Sequence, residues 1–182
     1  MKEFPLYDLN DAPTESKAML EQANQSMGMV PNLLKVMAAS PQLLESYRTL
    51  HELFMNTSLS TLEKNVVWLA INVEHRCYYC VPAHTGIARQ MGVPDEIIEA
   101  LRAEKPLPDA KLETLRQFTL ELVRTRGNVN EESLKAFMDA GYTGRQVMDI
   151  ILGLSHKVIS NYLNHIAEIP TDEAFSQYEW HE

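Results

Sequence analysis

Both cysteines of the 182-residue chain lie in one short stretch, Glu74-His75-Arg76-Cys77-Tyr78-Tyr79-Cys80-Val81-Pro82-Ala83-His84, spaced Cys-x-x-Cys with a histidine four positions after the second. Two thiols at that spacing can close and open a small disulfide ring, which is the chemistry of thiol exchange. Proline lacks an N–H and is tolerated in a helix only within the first turn, so a helix running toward Gly92 must begin at about Tyr78 to Val81. Cys80 then sits at a helix N-terminus, where free N–H groups and the positive end of the dipole favour a thiolate, lowering a thiol from about 8.5 toward roughly 3.5–7.5. His84 follows one turn later on the same face, placed to exchange a proton with Cys80 or to stabilise its anion. Cys80 is the expected nucleophile and Cys77, just before the helix, the expected resolving thiol.

Three plainer readings use the same residues: buried structural thiols, a structural disulfide, and a metal clip made of His75, Cys77, Cys80 and His84. The spacing argues against the clip, because structural zinc sites draw their ligand pairs from separated segments and so staple a fold. Four ligands from one helix turn would cross-link almost nothing.

The elements that must hold this stretch read as helices throughout. Ser60-Thr61-Leu62-Glu63 is a capping box, which gives Glu63 a structural role, and the helix it opens is apolar nearly all round from Val66 to Val73. That helix is expected to run through the core and to deliver Glu74 to the site. Ahead of it, stripes at three- and four-residue steps mark helices from Pro13 to about Ser26, over Asn32 to Met37, and from Pro41 through Phe54, where His51 reads as a stripe residue. Behind it come a short helix from Pro94 to Leu101, one from Ala110 to Thr125, one opened by Asn130, and a long last helix after Thr143. The last carries Val147, Ile150, Ile151, Leu154, Val158, Ile159, Tyr162 and Ile166 as a wide apolar stripe. No strand pattern, repeat or glycine-rich phosphate loop occurs, so the expected fold is an all-α single domain over 1–182. It has an extended arm at 1–12, the thiol motif within 59–92 and an aperiodic acidic tail at 169–182.

A composition of 45% hydrophobic and 23% charged residues suits one packed domain, and a formal net charge of −9 excludes the basic footprint that nucleic acid or an anionic membrane would need. The N-terminus has no signal-peptide pattern and no stretch reaches the ~18 apolar residues of a membrane span, so a cytoplasmic location is expected. In a reducing compartment a cysteine pair is more often catalytic, sensing or metal-binding than a staple.

The stretch from Leu59 to Gly92, with its long apolar helix followed by Cys-x-x-Cys and a histidine, resembles the core of the carboxymuconolactone decarboxylase and alkylhydroperoxidase D (AhpD-like) superfamily. Asn161-Tyr162-Leu163-Asn164-His165-Ile166 resembles a stretch of its peroxidase-related branch. The resemblance implies an AhpD-like helical bundle and a thiol-dependent peroxidase that reduces hydrogen peroxide or organic hydroperoxides without a bound cofactor. Carried onto this chain, Cys80 is peroxidatic, Cys77 resolving and His84 a proton relay. It further implies an external dithiol reductant, with a lipoyl-bearing protein as one candidate, and assembly as a homo-trimer or homo-hexamer. The wide stripe of the last helix and the apolar arm residues Phe4 to Leu9 are the surfaces expected to serve that assembly. Two positions depart from the family pattern: the relay glutamate is replaced by Asn65, and the residue before the second cysteine, often histidine, is Tyr79. Glu74 is the substitute carboxylate, while Asn161, Asn164 and His165 are expected to satisfy buried backbone and subunit contacts. A dithiol sensor or disulfide-handling protein would use the same thiols without peroxide turnover. Decarboxylase or lactone chemistry of the sister branch needs proton transfer to a carbanion and no thiol.

Overall fold

The computed structural model describes residues 3–181, so the part of the arm at positions 1 and 2 lies outside the described residues, as does position 182 of the tail. The described chain is built of helices alone: α1 (Thr14–Met27), α2 (Asn32–Met37), α3 (Pro41–Met55), α4 (Thr61–Glu74), α5 (Cys80–Gln90), α6 (Asp95–Arg102), α7 (Ala110–Arg124), α8 (Glu131–Asp139), α9 (Gly144–Ala167) and a 3₁₀ segment (Glu173–Tyr178). None of them is long and apolar enough to cross a membrane.

α4 is the axis. Its start is fixed by the capping box read from the sequence: Ser60 Oγ accepts from the Glu63 N–H at 3.2 Å, and the Glu63 carboxylate accepts from the Ser60 N–H at 2.8 Å. Every residue from Lys64 to Val73 is buried, and α5, α6, α7 and α9 pack around it. Each fully buried Val, Leu or Ile there contributes roughly 1.5–3 kcal/mol, so packing rather than helix propensity holds the β-branched residues of α4 helical. α3 lies along α9 at a close approach made possible by Gly153, where a Cβ would stand 2.6 Å from the Phe54 ring. A second apolar cluster joins α1 and α2 to the thiol turn, and the arm residues Phe4, Tyr7 and Leu9 pack against it. The arm therefore has partners on its own chain.

Two elements differ from the sequence reading. The tail is not aperiodic: its 3₁₀ segment lies across α5, where Gly86 faces the rings of Phe175 and Tyr178 so closely that a Cβ would stand 2.9 Å from Tyr178. Arg102 donates to the carbonyls of Tyr178 and Glu179, and the Trp180 indole N–H donates to the Arg102 carbonyl. These contacts lie 76 or more residues apart in sequence, beyond the reach of any local pattern.

The other difference is the orientation of α9. Its buried positions are Ile150, Gly153, His156, Lys157, Ser160, Asn161, Asn164 and Ala167. Three residues of the expected stripe, Ile151, Tyr162 and Ile166, are instead 48%, 54% and 63% exposed. The polar face looks inward because it meets the thiol turn and the rings of α3 and α4.

Candidate active site

α5 begins at Cys80, within the window that Pro82 imposes, and Pro82 falls in the first turn, where no intrahelical bond is lost. The chain reaches it by a sharp turn after α4, with Arg76 in the left-handed region at φ 52°. Three side chains hold the turn: Asn161 Nδ2 donates to Asn72 Oδ1 at 2.9 Å, the Asn161 Oδ1 pairs with His75 Nδ1 at 2.9 Å, and Asn72 Nδ2 donates to the Cys80 carbonyl at 3.4 Å. On the far side the Tyr79 hydroxyl donates to Asp172 and accepts from the Leu33 N–H, while Asp172 also accepts from the Asn32 N–H. Tyr79 thus ties the residue before the nucleophile to both α2 and the tail.

Cys77 and Cys80 are both free and buried, and the Cys80 N–H points at Cys77 Sγ over 3.3 Å. Asn164 Nδ2 stands 3.5 Å from Cys80 Sγ. Burial pushes the Cys80 thiol up, but a hydrogen bond from Cys77, the Lys157 charge and bonds from Asn161 and Ser160 more than offset it, leaving Cys80 at about 7. Cys77 moves the opposite way, raised first by donating its proton to Cys80 and then by burial. The contact between the two thiols therefore favours ionisation at Cys80 over Cys77.

His84 does not bond Cys80 as the spacing predicts. Its Nε2 lies 2.7 Å from Lys157 Nζ, and its Nδ1 is buried without a partner. Burial first, then the Lys157 and His51 charges, hold the imidazole well below its ordinary value, so it is neutral and its Nε2 accepts from the ammonium. His156 is held neutral for the same reasons, and His51 is lowered to about 4 by burial and by Lys157. Lys157 itself is fully buried over the rings of Trp68 and Tyr47, 5.8 and 6.0 Å from their centroids. Burial lowers it to about 8, with the two cysteines acting against that fall.

Glu74 is elsewhere. Its carboxylate forms a two-armed pair with Arg124 at 2.8 and 2.7 Å and lines a small crevice with Leu101 and Arg116 on the opposite side of α4. The Arg124 bond holds its carboxyl below the usual range. The residue that ends α4 therefore serves a surface ion pair, since the helix turns it away from the thiols. Asn65 is buried, donates to the Thr61 carbonyl and touches Met91 sulfur. The four residues weighed as a metal clip do not converge, and no cluster of three or more metal-ligating side chains occurs among the described residues.

A cavity of about 730 Å³ opens onto the thiol. Met19, Leu33, Leu34, Ile87, Met91 and Phe175 supply apolar walls, Tyr47, Trp68 and Tyr79 aromatic ones, and Cys80, His84 and Lys157 its reactive wall. Sequence reasoning missed Lys157 because it was counted within an apolar helix. A signal existed: Gly153, His156, Lys157, Ser160, Asn161 and Asn164 recur at three- and four-residue steps, a second stripe of small and hydrogen-bonding residues. Asn161 and Asn164 reach the thiol turn and the thiol, beyond the backbone role expected of them, whereas His165 is exposed.

The sequence pattern of the carboxymuconolactone decarboxylase family matches residues 41–113. No curated protein matches by sequence. Among solved structures, the chain is similar to an AhpD-core, peroxidase-related protein from Ralstonia eutropha JMP134 (20% identity, TM-score 0.84, 94% of this chain and 93% of that one). It is also similar to a peroxidase-related protein from Silicibacter sp. TM1040 (22%, 0.81, 95% and 92%). The debrominase Bmp8 in complex with 2,3,4-tribromopyrrole is similar at 14% identity and TM-score 0.74, over 88% of this chain and 87% of that one.

Proposed function

From the match of residues 41–113 to the carboxymuconolactone decarboxylase family and the AhpD-like fold, we infer a thiol-dependent peroxidase that works through a Cys77/Cys80 dithiol–disulfide cycle. The observation that carries the reading is the buried pair of free thiols, with the Cys80 N–H 3.3 Å from Cys77 Sγ and Cys80 lining a cavity of about 730 Å³. The Cys80 thiolate attacks the outer oxygen of R–O–O–H; the O–O bond breaks, the alcohol leaves with a proton relayed on the His84 side, and Cys80 becomes a sulfenic acid. The Cys77 thiol then condenses with it, releasing water and closing the disulfide, which an external dithiol, such as a lipoyl-bearing protein, reduces. A cavity of about 730 Å³ with apolar and aromatic walls is far larger than hydrogen peroxide needs, which favours organic hydroperoxides as substrates.

Stopped-flow oxidation of the reduced protein by cumene hydroperoxide and by hydrogen peroxide, with mass spectrometry of the product, tests this. Cys80→Ser abolishes consumption, while Cys77→Ser completes one turnover and accumulates sulfenic acid on Cys80. Oxidation no faster than that of a free thiol would replace the reading with a dithiol sensor, and sulfenic acid found only on Cys77 would reverse the roles.

A further inference from the structure

Lys157 is an unusual group to find at the centre of a fold. It is fully buried, yet it takes part in no ion pair with a carboxylate among the described residues, and its polar partner is the neutral His84 at 2.7 Å. Burying an ammonium without a counter-ion costs several kcal/mol, so an anion must balance it or the proton must leave. The groups around it are Tyr47 and His51 from α3, Trp68 from α4, His84 and Cys80 from α5, Cys77 from the turn and its neighbour His156. The histidines are held neutral and the Tyr47 hydroxyl is pushed up by burial, so the Cys80 thiolate is the anion available.

We propose that Lys157 is the acid of the peroxide step: its ammonium supplies the proton that departs with the leaving oxygen, and His84 is the positioning residue that holds it. This rests on the thiol-peroxidase reading. The step balances as thiolate, R–O–O–H and ammonium giving Cys80–SOH, R–OH and a neutral amine, with sulfur oxidised and the O–O bond reduced. Its driving logic is local. Oxidation removes the Cys80 anion that faces the ammonium, so the same event that creates the need for a proton also removes what kept that proton on Lys157. When an external dithiol reopens the disulfide, the neutral amine takes the proton of the Cys80 thiol and restores the ion pair. No net charge is buried at any stage.

The two groups titrate close together, Cys80 at about 7 and Lys157 at about 8, so the wild-type protein carries its own test. The second-order rate of sulfenic acid formation with cumene hydroperoxide, divided by the thiolate fraction from iodoacetamide alkylation at each pH, should fall as pH rises through about 8. Lys157→Met should raise the alkylation midpoint by about 1–3 pH units through loss of the facing charge. Lys157→Arg should keep that midpoint near wild type but, because guanidinium does not give up its proton, react about 10²–10⁴-fold more slowly per thiolate with no falling limb. A thiolate-normalised wild-type rate that stays flat through pH 8, or an arginine variant as fast as wild type, overturns the assignment and leaves Lys157 a counter-ion. If the wild-type thiolate does not react with hydroperoxide at all, the peroxidase reading fails and takes the acid role with it. The alkylation midpoints would still report the Lys157–Cys80 pairing separately.

Discussion

Replacing Gly153 with alanine places one methyl group between α3 and α9, and the structure fixes what it meets. The new carbon would stand 2.6, 3.0 and 3.2 Å from three atoms of the Phe54 ring, against an optimum of about 3.5–4.0 Å. Phe54 is fully buried and lies against Trp68 at 4.9 Å between centroids, so the ring cannot swing away and the helices must part by roughly an ångström. Overpacking of this kind costs about 1–3 kcal/mol. Removing a glycine from a helix interior returns about 1 kcal/mol. The expected net loss is therefore roughly 0–2 kcal/mol for alanine, and valine should lose more because it adds volume and returns less propensity. Lys157 lies one turn further along α9, so its ammonium should draw back from Cys80 and the thiolate midpoint should rise. Urea unfolding at constant slope measures the first effect and iodoacetamide alkylation against pH the second. A valine variant as stable as wild type with an unchanged alkylation midpoint would refute the claim that this approach sets the position of Lys157.

Two further outcomes follow from the placement of other residues. Glu74→Gln should leave the Cys80 alkylation profile and peroxide rate unchanged and cost less than about 1 kcal/mol, because it breaks a half-exposed ion pair with Arg124 on the opposite side of α4; a shifted profile would bring the carboxylate back into the site. Light scattering at micromolar concentration should give a trimer or hexamer, and Tyr162→Glu with Ile166→Glu should drive the mass toward the 20.7 kDa of one chain; a monomeric wild type would sink this.

The periodic elements were legible in the sequence for simple reasons. The capping boxes at Ser60 and Thr143 form as read, and Pro82 fixed the start of α5 because a missing N–H has few places to go. The thiol pair could be singled out because two cysteines at that spacing have few other uses. What escaped were relations between distant segments: the tail lying on α5, the Arg124 partner of Glu74, and the lysine facing His84 from 73 residues away. α9 misled most instructively. A hydrophobic stripe normally marks the inward face, but there the inward face is the polar one. Its polar residues hold the thiol turn, and the apolar ridge of Met148, Ile151, Tyr162 and Ile166 is left outside.

The tail bears on how the protein comes to exist. Tyr79 finds its partner in Asp172, 93 residues later, and Phe175 completes a wall of the cavity only once that segment has been made. At roughly 5–20 residues per second, synthesis separates the thiol pair from that partner by about 5–20 s. Throughout that interval the nascent chain carries a dithiol without its wall or its tether, open to exchange with any small disulfide nearby, which would leave a mixed disulfide on the chain and release a thiol. The yield of protein with both thiols free should therefore depend on the reducing state of the compartment during translation more steeply than on the same state afterwards, when the finished wall stands over the sulfur.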